Sequence, residues 1–259
     1  MPQKQLYLLS RTFKILKMII KKQIKEYLLK LLIGNRISLD DAMLLSNNPE
    51  EKTKISFSQT GEDMIIDAFA GPNENGFYVD VGAHHPIRYL NTLHFYLKGW
   101  KGINIDPIPG IMHEFKRFRP KDINLEMAIG DSGYCDYYIF QDNAFNTLDK
   151  IAAEKTIETN LSQLIEVVQI SKIPLKSIFD QYIRKDQDID LLTIDAEGLD
   201  LEILKTNNWE KYRPSIICIE HNESLVCSDD INNPDVFLSK HGYIKTGQTL
   251  LSAIYKKTN

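Results

Sequence analysis

Short β-branched runs alternate with helix-patterned segments from Ser58 to the end of this chain, and four of the five runs end in a carboxylate. The runs are Phe77 to Val81, Gly102 to Asp106, Ile123 to Ile129, Ile189 to Ile194 and Ser215 to Ile219. Their ends carry Asp80 with Gly82-Ala83, then Asp106, Ala128-Ile129, Asp195 and Glu220-His221. Strands alternating with helices predict a mostly parallel, doubly wound α/β sheet with helices on both faces. Ligands of such sheets bind beyond the carboxyl ends of the strands. A purely structural sheet has little reason to place carboxylates there.

The helices are read at Ser58-Gln59-Thr60-Gly61-Glu62-Asp63 onward, Tyr89 to Leu97, Gly110 to Phe118, Ser177 to Arg184, Gly198 to Lys205 and Asp235 to His241. Thr60 reads as the N-cap of the first, with Asp63 at N3. Tyr134 to Phe140 and Ile165 to Ile170 read as added strands, and residues 134–176 as the segment that shapes an acceptor pocket. Tyr243 to Lys245 and Leu250 to Tyr255 read as a closing antiparallel pair.

Residues 1–57 stand apart from residues 58–259. Residues 1–36 hold nine Lys or Arg against Glu26 alone, near +8, which leaves the rest near −12 of the net −4. Leu9, Phe13, Leu16, Ile20, Ile24, Tyr27 and Leu31 recur at helical spacing, so residues 6–33 predict an amphipathic helix with a lysine-rich back. That helix has two readings. One packs it on its own domain or on a second copy in a homodimer; the other lays it on anionic lipid headgroups as a peripheral membrane contact. The small net charge gives no reason to expect a nucleic-acid partner. Three cysteines, Cys135, Cys218 and Cys227, form no CxxC pair, which predicts a reducing, cytoplasmic setting. No apolar run approaches the ~20 residues of a membrane span.

The site residues follow from the strand ends. Gly82 permits a tight turn and a close backbone approach, yet it stands nearly alone and makes no GxGxxG fingerprint. That weakens a nicotinamide-dependent oxidoreductase, the first competing reading; a non-catalytic binding module is the second. Asp106 lies 24 residues after Gly82, where a carboxylate meets ribose hydroxyls. Asp195 faces the cleft. His221 is a candidate general base, and Asp195 with Glu220 are candidate ligands for a divalent ion such as Mg²⁺ or Mn²⁺. Of the pair after the glycine turn, His84 is a candidate cofactor contact and His85 a candidate catalytic group. Their alternative is an imidazole satisfied by backbone at the sheet edge.

The run Ser58 to Asp63, then Val79 to Pro86, then Asn91-Thr92, resembles the FkbM-type family of S-adenosylmethionine-dependent methyltransferases. Gly99 to Asp106, Arg119 to Glu126 and Asp195 to Glu202 continue the likeness, which spans roughly residues 55–256. The resemblance implies a class I methyltransferase fold, with a seven-stranded sheet whose last strand is antiparallel. It also implies S-adenosylmethionine as donor and a hydroxyl as acceptor, on a glycan or a small secondary metabolite. By motif position, Asp80, Gly82 and Ala83 would bracket the methionine moiety and Asp106 the ribose. Ala128 and Ile129 would lie against adenine, with Asp131 near its amino group. Gln59, Glu62 and Asn91 would help hold the methionine end.

Overall fold

The computed structural model describes residues 54–142, 145–220 and 233–258. The chain divides between Ile55 and Ser56, and every described element belongs to the unit beginning at Ser56. The amphipathic helix expected over residues 6–33 lies outside the described residues, and with it the dimer and membrane readings. Among the described residues no helix is long and apolar enough to cross a membrane.

The elements run α1 (Glu62–Ala70), β1 (Phe77–Val81), α2 (Leu93–Lys98), β2 (Lys101–Asp106), α3 (Ile111–Phe118), β3 (Ile123–Glu126), β4 (Ala128–Ile129) and β5 (Gly133–Phe140). Then come α4 (Lys150–Glu158), β6 (Leu164–Ile173), α5 (Leu175–Tyr182), β7 (Leu191–Ile194), α6 (Asp200–Lys205), β8 (Ile216–Glu220), α7 (Pro234–Lys240), β9 (Tyr243–Gln248) and β10 (Ser252–Lys257). The main sheet has seven strands in the order β3-β2-β1-β7-β8-β10-β9. All neighbours in it are parallel except β10, which runs antiparallel to both β8 and β9. This is the class I methyltransferase arrangement that the resemblance implied.

Both faces of the sheet are covered, which is why its strands read as nearly continuous apolar runs. Val79, Ile103, Leu192 and Ile217 project to one face and pack with Leu175, Phe179 and Leu204. Tyr78, Leu191 and Ile216 project to the other, under Ile66, Phe95 and Trp100. Gly102 is needed on that second side, because a Cβ there would sit 2.1 Å from the Tyr78 ring. The alternation continues toward the carboxyl ends, where apolar residues give way to polar ones. Asn104, Asp80, Thr193 and Cys218 are register partners in turn across four strands. One level further on come Asp106, Asp195 and Glu220.

Four expectations need correction. Ile123 to Ile129 is not one strand. After Glu126 the chain leaves the main sheet, and Ala128-Ile129 pair in parallel with Lys172-Ile173 of β6 in a separate three-stranded sheet, β4-β6-β5. The second helix begins at Leu93 and not at Tyr89, whose φ of 53° cannot join a right-handed helix. The N-cap of α1 is Gly61 at φ 93°, not Thr60, whose backbone N–H and hydroxyl both turn to the Glu62 carboxylate. Asp63 serves the preceding loop, accepting the Ser56 and Ser58 hydroxyls and the Phe57 amide. Helix α4 was not foreseen at all. Its N-cap is Asp149, but Ile151 and Ile157 point to solvent, 75% and 46% exposed, so no apolar stripe marks it.

Candidate active site

A cavity of about 460 Å³ opens over the carboxyl ends of β1, β2 and β7, lined also by Met127, Tyr137, Asp142, Asn146 and Leu148. That is the size of a small-molecule site. Its wall brings together Gln59, Asp80, Gly82, Ala83, His84, His85 and Asn91 from the β1 side, and Asp106 from β2. Ala128 and Ile129 form a buried apolar patch on it, and Asp195 closes the opposite side. Three predicted positions are not on this wall. Asp131 is exposed in the turn between β4 and β5, away from the cavity. Glu62 is turned to Thr60 and Thr249, tying α1 to the β9–β10 turn. Glu220 sits at the end of β8, outside the lining. His221 lies outside the described residues.

The turn after β1 shows why Gly82 stands there. At φ 80°, a Cβ on Gly82 would lie 1.7 Å from the Asp195 carbonyl oxygen. The position is therefore reserved by the approach of two strand ends, and no sequence pattern reveals that. The Gly82 and Ala83 amides both donate to the Ile105 carbonyl, at 2.9 and 3.1 Å. They point into the sheet and are unavailable to cradle a diphosphate, which counts against a dinucleotide.

Asp106 is almost fully buried, and its two oxygens each hold one backbone amide: His84 N–H on Oδ2 at 2.7 Å and Ile108 N–H on Oδ1 at 2.8 Å. It thus caps both loops around it, and its remaining lone pairs are what a ribose diol can use. The amide bond from His84 helps hold that residue at φ 49°. Tyr89 and Glu197, at φ 53° and 52°, also line the cavity. Left-handed non-glycine residues are uncommon, and their concentration here marks the cavity as a place where backbone strain is maintained.

His85 follows the alternative reading, an imidazole engaged by backbone. Its Nδ1 accepts the Ile87 and Arg88 amides at 3.1 and 3.2 Å, and burial beside Arg88 holds its pKa below the usual histidine value. The neutral ring therefore carries its proton on Nε2, and its Nδ1 lone pair is taken up by the two amides. Asn91 bridges strands, its amide donating to Thr193 Oγ1 at 3.1 Å and to Cys218 Sγ.

The electrostatics are dominated by acids. Burial lifts Asp80 to about 7, against relief from the Thr92 hydroxyl and from Arg119, with Asp195 and Asp106 adding repulsion. Burial likewise raises Asp106. Asp195 and Glu197 keep solvent-accessible surface, yet the concave wall around them and their mutual repulsion with Glu220 raise them to about 6 and about 7. Such a wall suits a ligand that brings positive charge. Among the described residues no group of three or more His, Cys, Asp or Glu is placed to hold a metal ion. Sequence reasoning missed Glu197 as a wall residue and Tyr137, a buried side chain of β5 on the cavity.

A pH dependence follows. Asp80 is raised on folding from the ordinary ~3.9, so the stability it contributes is full below that value and lost as pH climbs through about 7. Asp106, Asp195 and Glu197 act in the same direction. The unliganded protein is expected to melt at higher temperature near pH 5.5 than near pH 8. Asp80→Asn should shrink that difference, and an unchanged difference by calorimetry would contradict the assignment.

The sequence matches the Methyltransferase FkbM domain over residues 80–245. No curated protein matches it. Among solved structures it is similar to cofactor-bound Rv0187 from MTB, with 12% identity, 90% of this chain and 95% of that chain covered, and a TM-score of 0.41. It is also similar to precorrin-6y C5,15-methyltransferase from Geobacter metallireducens GS-15, with 13% identity, 85% and 98% covered, and a TM-score of 0.36. For a Corynebacterium glutamicum protein the values are 9% identity, 91% and 98% covered, and a TM-score of 0.40.

Proposed function

This chain belongs to the FkbM methyltransferase family and is an S-adenosylmethionine-dependent enzyme, and from that premise we propose that it methylates a hydroxyl oxygen on a sugar, a glycan or a small secondary metabolite. The observation that carries the reading is the division of the cavity wall. One part of it holds the buried acids Asp80 and Asp106 with the apolar patch of Ala128 and Ile129; the other holds Asp195 and Glu197 with the neutral side chains of Tyr137, Asn146 and Thr147.

The first half fits the methyl donor. Asp80 takes the ammonium, Asp106 the ribose hydroxyls, and Ala128 with Ile129 the adenine face, while Gln59 and Asn91 border the methionine end. When bound, the donor supplies a methyl group already activated on a sulfonium. The protein's own part is to hold the acceptor oxygen in line, exclude water and take a proton. Neutral hydrogen-bonding side chains on the wall suit a hydroxyl-rich acceptor. Asp195 and Glu197, with raised proton affinity, are placed to remove the hydroxyl proton near neutral pH. His221 is the other candidate base, and Glu220 with Asp195 the candidate pair for a divalent ion.

The test incubates the purified protein with methyl-labelled S-adenosylmethionine and a small-molecule extract, and locates the label by mass spectrometry. An ether survives mild alkali, whereas a carboxyl ester releases methanol. Alkali-stable label on oxygen supports the reading; label on nitrogen or in an ester overturns it. Turnover should rise with pH through about 6 to 7, because a carboxylate base must be ionised. Asp195→Asn should lower kcat about 100-fold or more and remove that rise. Activity that survives EDTA leaves the proton to the side chains, while loss restored by Mg²⁺ or Mn²⁺ assigns a share to an ion.

A further inference from the structure

Behind the β1 wall of the cavity lies a buried cation that touches no part of the cavity itself. Arg119, which caps the end of α3, is completely enclosed. Its Nε donates to Asp122 Oδ2 at 3.0 Å, and both side chains of that ion pair are shut off from solvent. Nη1 donates to the Pro86 carbonyl at 3.4 Å, and the guanidinium lies over the Tyr96 and Tyr78 rings at 4.6 and 5.4 Å. Nη2 donates to the Tyr78 hydroxyl at 2.6 Å and to Thr92 Oγ1 at 3.2 Å.

The last contact has a direction. A threonine hydroxyl owns one proton. By accepting from Arg119, Thr92 Oγ1 turns that proton the other way, toward Asp80 Oδ2 at 2.6 Å. The chain Arg119 to Thr92 to Asp80 therefore runs donor to acceptor without a break and ends on a carboxylate of the cavity wall. Tyr78 is oriented in the same sense, donating on to Asp122. Asp122 is held by three more donors: the Gly102 amide, the Asn104 side chain and Arg119 itself. The Thr92 contact is what links this buried ion pair to the cavity wall.

We propose that Arg119 is a positioning residue for methyl-donor binding, acting through Thr92 to hold the Asp80 carboxylate in one orientation as acceptor for the donor's ammonium group. The inference rests on the reading of Asp80 as the partner of that ammonium. Two kinds of group face Asp80. From the α2 and α3 side, Thr92 and Arg119 favour its ionised form; from the neighbouring strand ends, Asp106 and Asp195 oppose it. Removing the Thr92 hydroxyl takes away one of the two groups that offset burial and the neighbouring acids. The pH below which an ammonium-bearing ligand loses its grip then moves upward.

Calorimetry with two ligands tests this on the full chain. S-adenosylhomocysteine carries the amino-acid end; 5′-methylthioadenosine has the same nucleoside without it. Thr92→Val keeps the shape and removes the hydroxyl. It should weaken S-adenosylhomocysteine about tenfold, leave 5′-methylthioadenosine within about twofold, and shift the acid limb of S-adenosylhomocysteine binding to higher pH. Arg119→Lys keeps the charge without the fork and should move the same readouts in the same direction; if it does not fold, Thr92→Val decides alone. Wild-type affinity and pH profile in Thr92→Val would overturn the proposal, and so would equal weakening of both ligands, which marks a merely structural role. Asp80→Asn separates the premise. If it weakens S-adenosylhomocysteine while Thr92→Val does not, the relay is wrong; if it binds like wild type, the ammonium reading is wrong and the proposal falls with it.

Discussion

Asp106→Asn is expected to weaken S-adenosylhomocysteine binding by about 100- to 1000-fold while leaving the protein folded. The size follows from geometry. Each oxygen of the Asp106 carboxylate already holds one backbone amide, from His84 and from Ile108. Each has one further lone-pair direction to offer, and two adjacent ribose hydroxyls need two acceptors. An amide has only one acceptor atom. Its NH₂ would face a backbone N–H, so one of the two loops loses its anchor and the diol loses a partner. Hydrogen bonds to a charged group contribute about 1.5–3 kcal/mol each. Losing one outright and misplacing the other gives roughly 3–4 kcal/mol, which is the stated range. Stability is a separate question. Burial already raises the Asp106 pKa, so its negative charge is unfavourable in the empty cavity. Neutralising it offsets part of the amide left unpaired, and the melting temperature should stay within about 5 °C of wild type. The ligand pattern must also be the reverse of Thr92→Val. Asp106→Asn acts on the nucleoside, so 5′-methylthioadenosine should weaken as much as S-adenosylhomocysteine. If only S-adenosylhomocysteine weakens, Asp106 does not hold the ribose.

The parts of this site that could be read from the sequence are those where one residue type at a strand end has one plausible use. Asp80, Asp106 and Asp195 announced themselves because carboxylates interrupt apolar runs, and the alternation of Leu191 to Ile194 placed Asp195 toward the cleft. Those three line the cavity as expected. What could not be read depends on partners distant in the chain. His85 has the composition of a base but spends Nδ1 on two amides of its own loop. Arg119 opens a run that carries the family likeness but receives no role from it, because nothing local shows that Tyr78, Tyr96 and Pro86 will close over it. Glu197 looks like an ordinary acid near a helix start, and only its left-handed backbone and its place on the wall set it apart. The parallel character of the sheet was legible from the βα alternation, and its seven strands with an antiparallel last one from the resemblance. The break at Met127 was not, since β4 continues the apolar run of β3 while pairing with a strand some forty residues further on.

Gly82→Ala is expected to be the most damaging single-methyl change in the domain, and the reason is separable from glycine's flexibility. Two penalties coincide at this position. A non-glycine residue at φ 80° costs about 1–2 kcal/mol for its left-handed backbone. The added Cβ would also stand 1.7 Å from the Asp195 carbonyl oxygen, and backbone cannot rotate away as a side chain can. The ends of β1 and β7 must part, which strains the Asp195 N–H bond to the Val81 carbonyl and the Gly82 N–H bond to the Ile105 carbonyl, both 2.9 Å. Overpacking of this kind adds roughly 1–3 kcal/mol. Together the two come to roughly 2–5 kcal/mol, a large share of the roughly 5–15 kcal/mol that holds a domain folded. The melting temperature should fall by about 4–20 °C. Gly110→Ala is the control. Its φ is 81°, nearly the same, yet nothing lies within 4 Å of an added Cβ. It carries the backbone penalty alone and should lower the melting temperature by only about 2–8 °C. The difference between the two variants measures the collision between strand ends. If Gly82→Ala and Gly110→Ala melt together, the turn has room to yield and Gly82 is there for conformation only. A gap in the expected direction means that the close approach of Gly82 to the Asp195 carbonyl fixes how tightly the ends of β1 and β7 pack, beyond what the left-handed backbone alone requires.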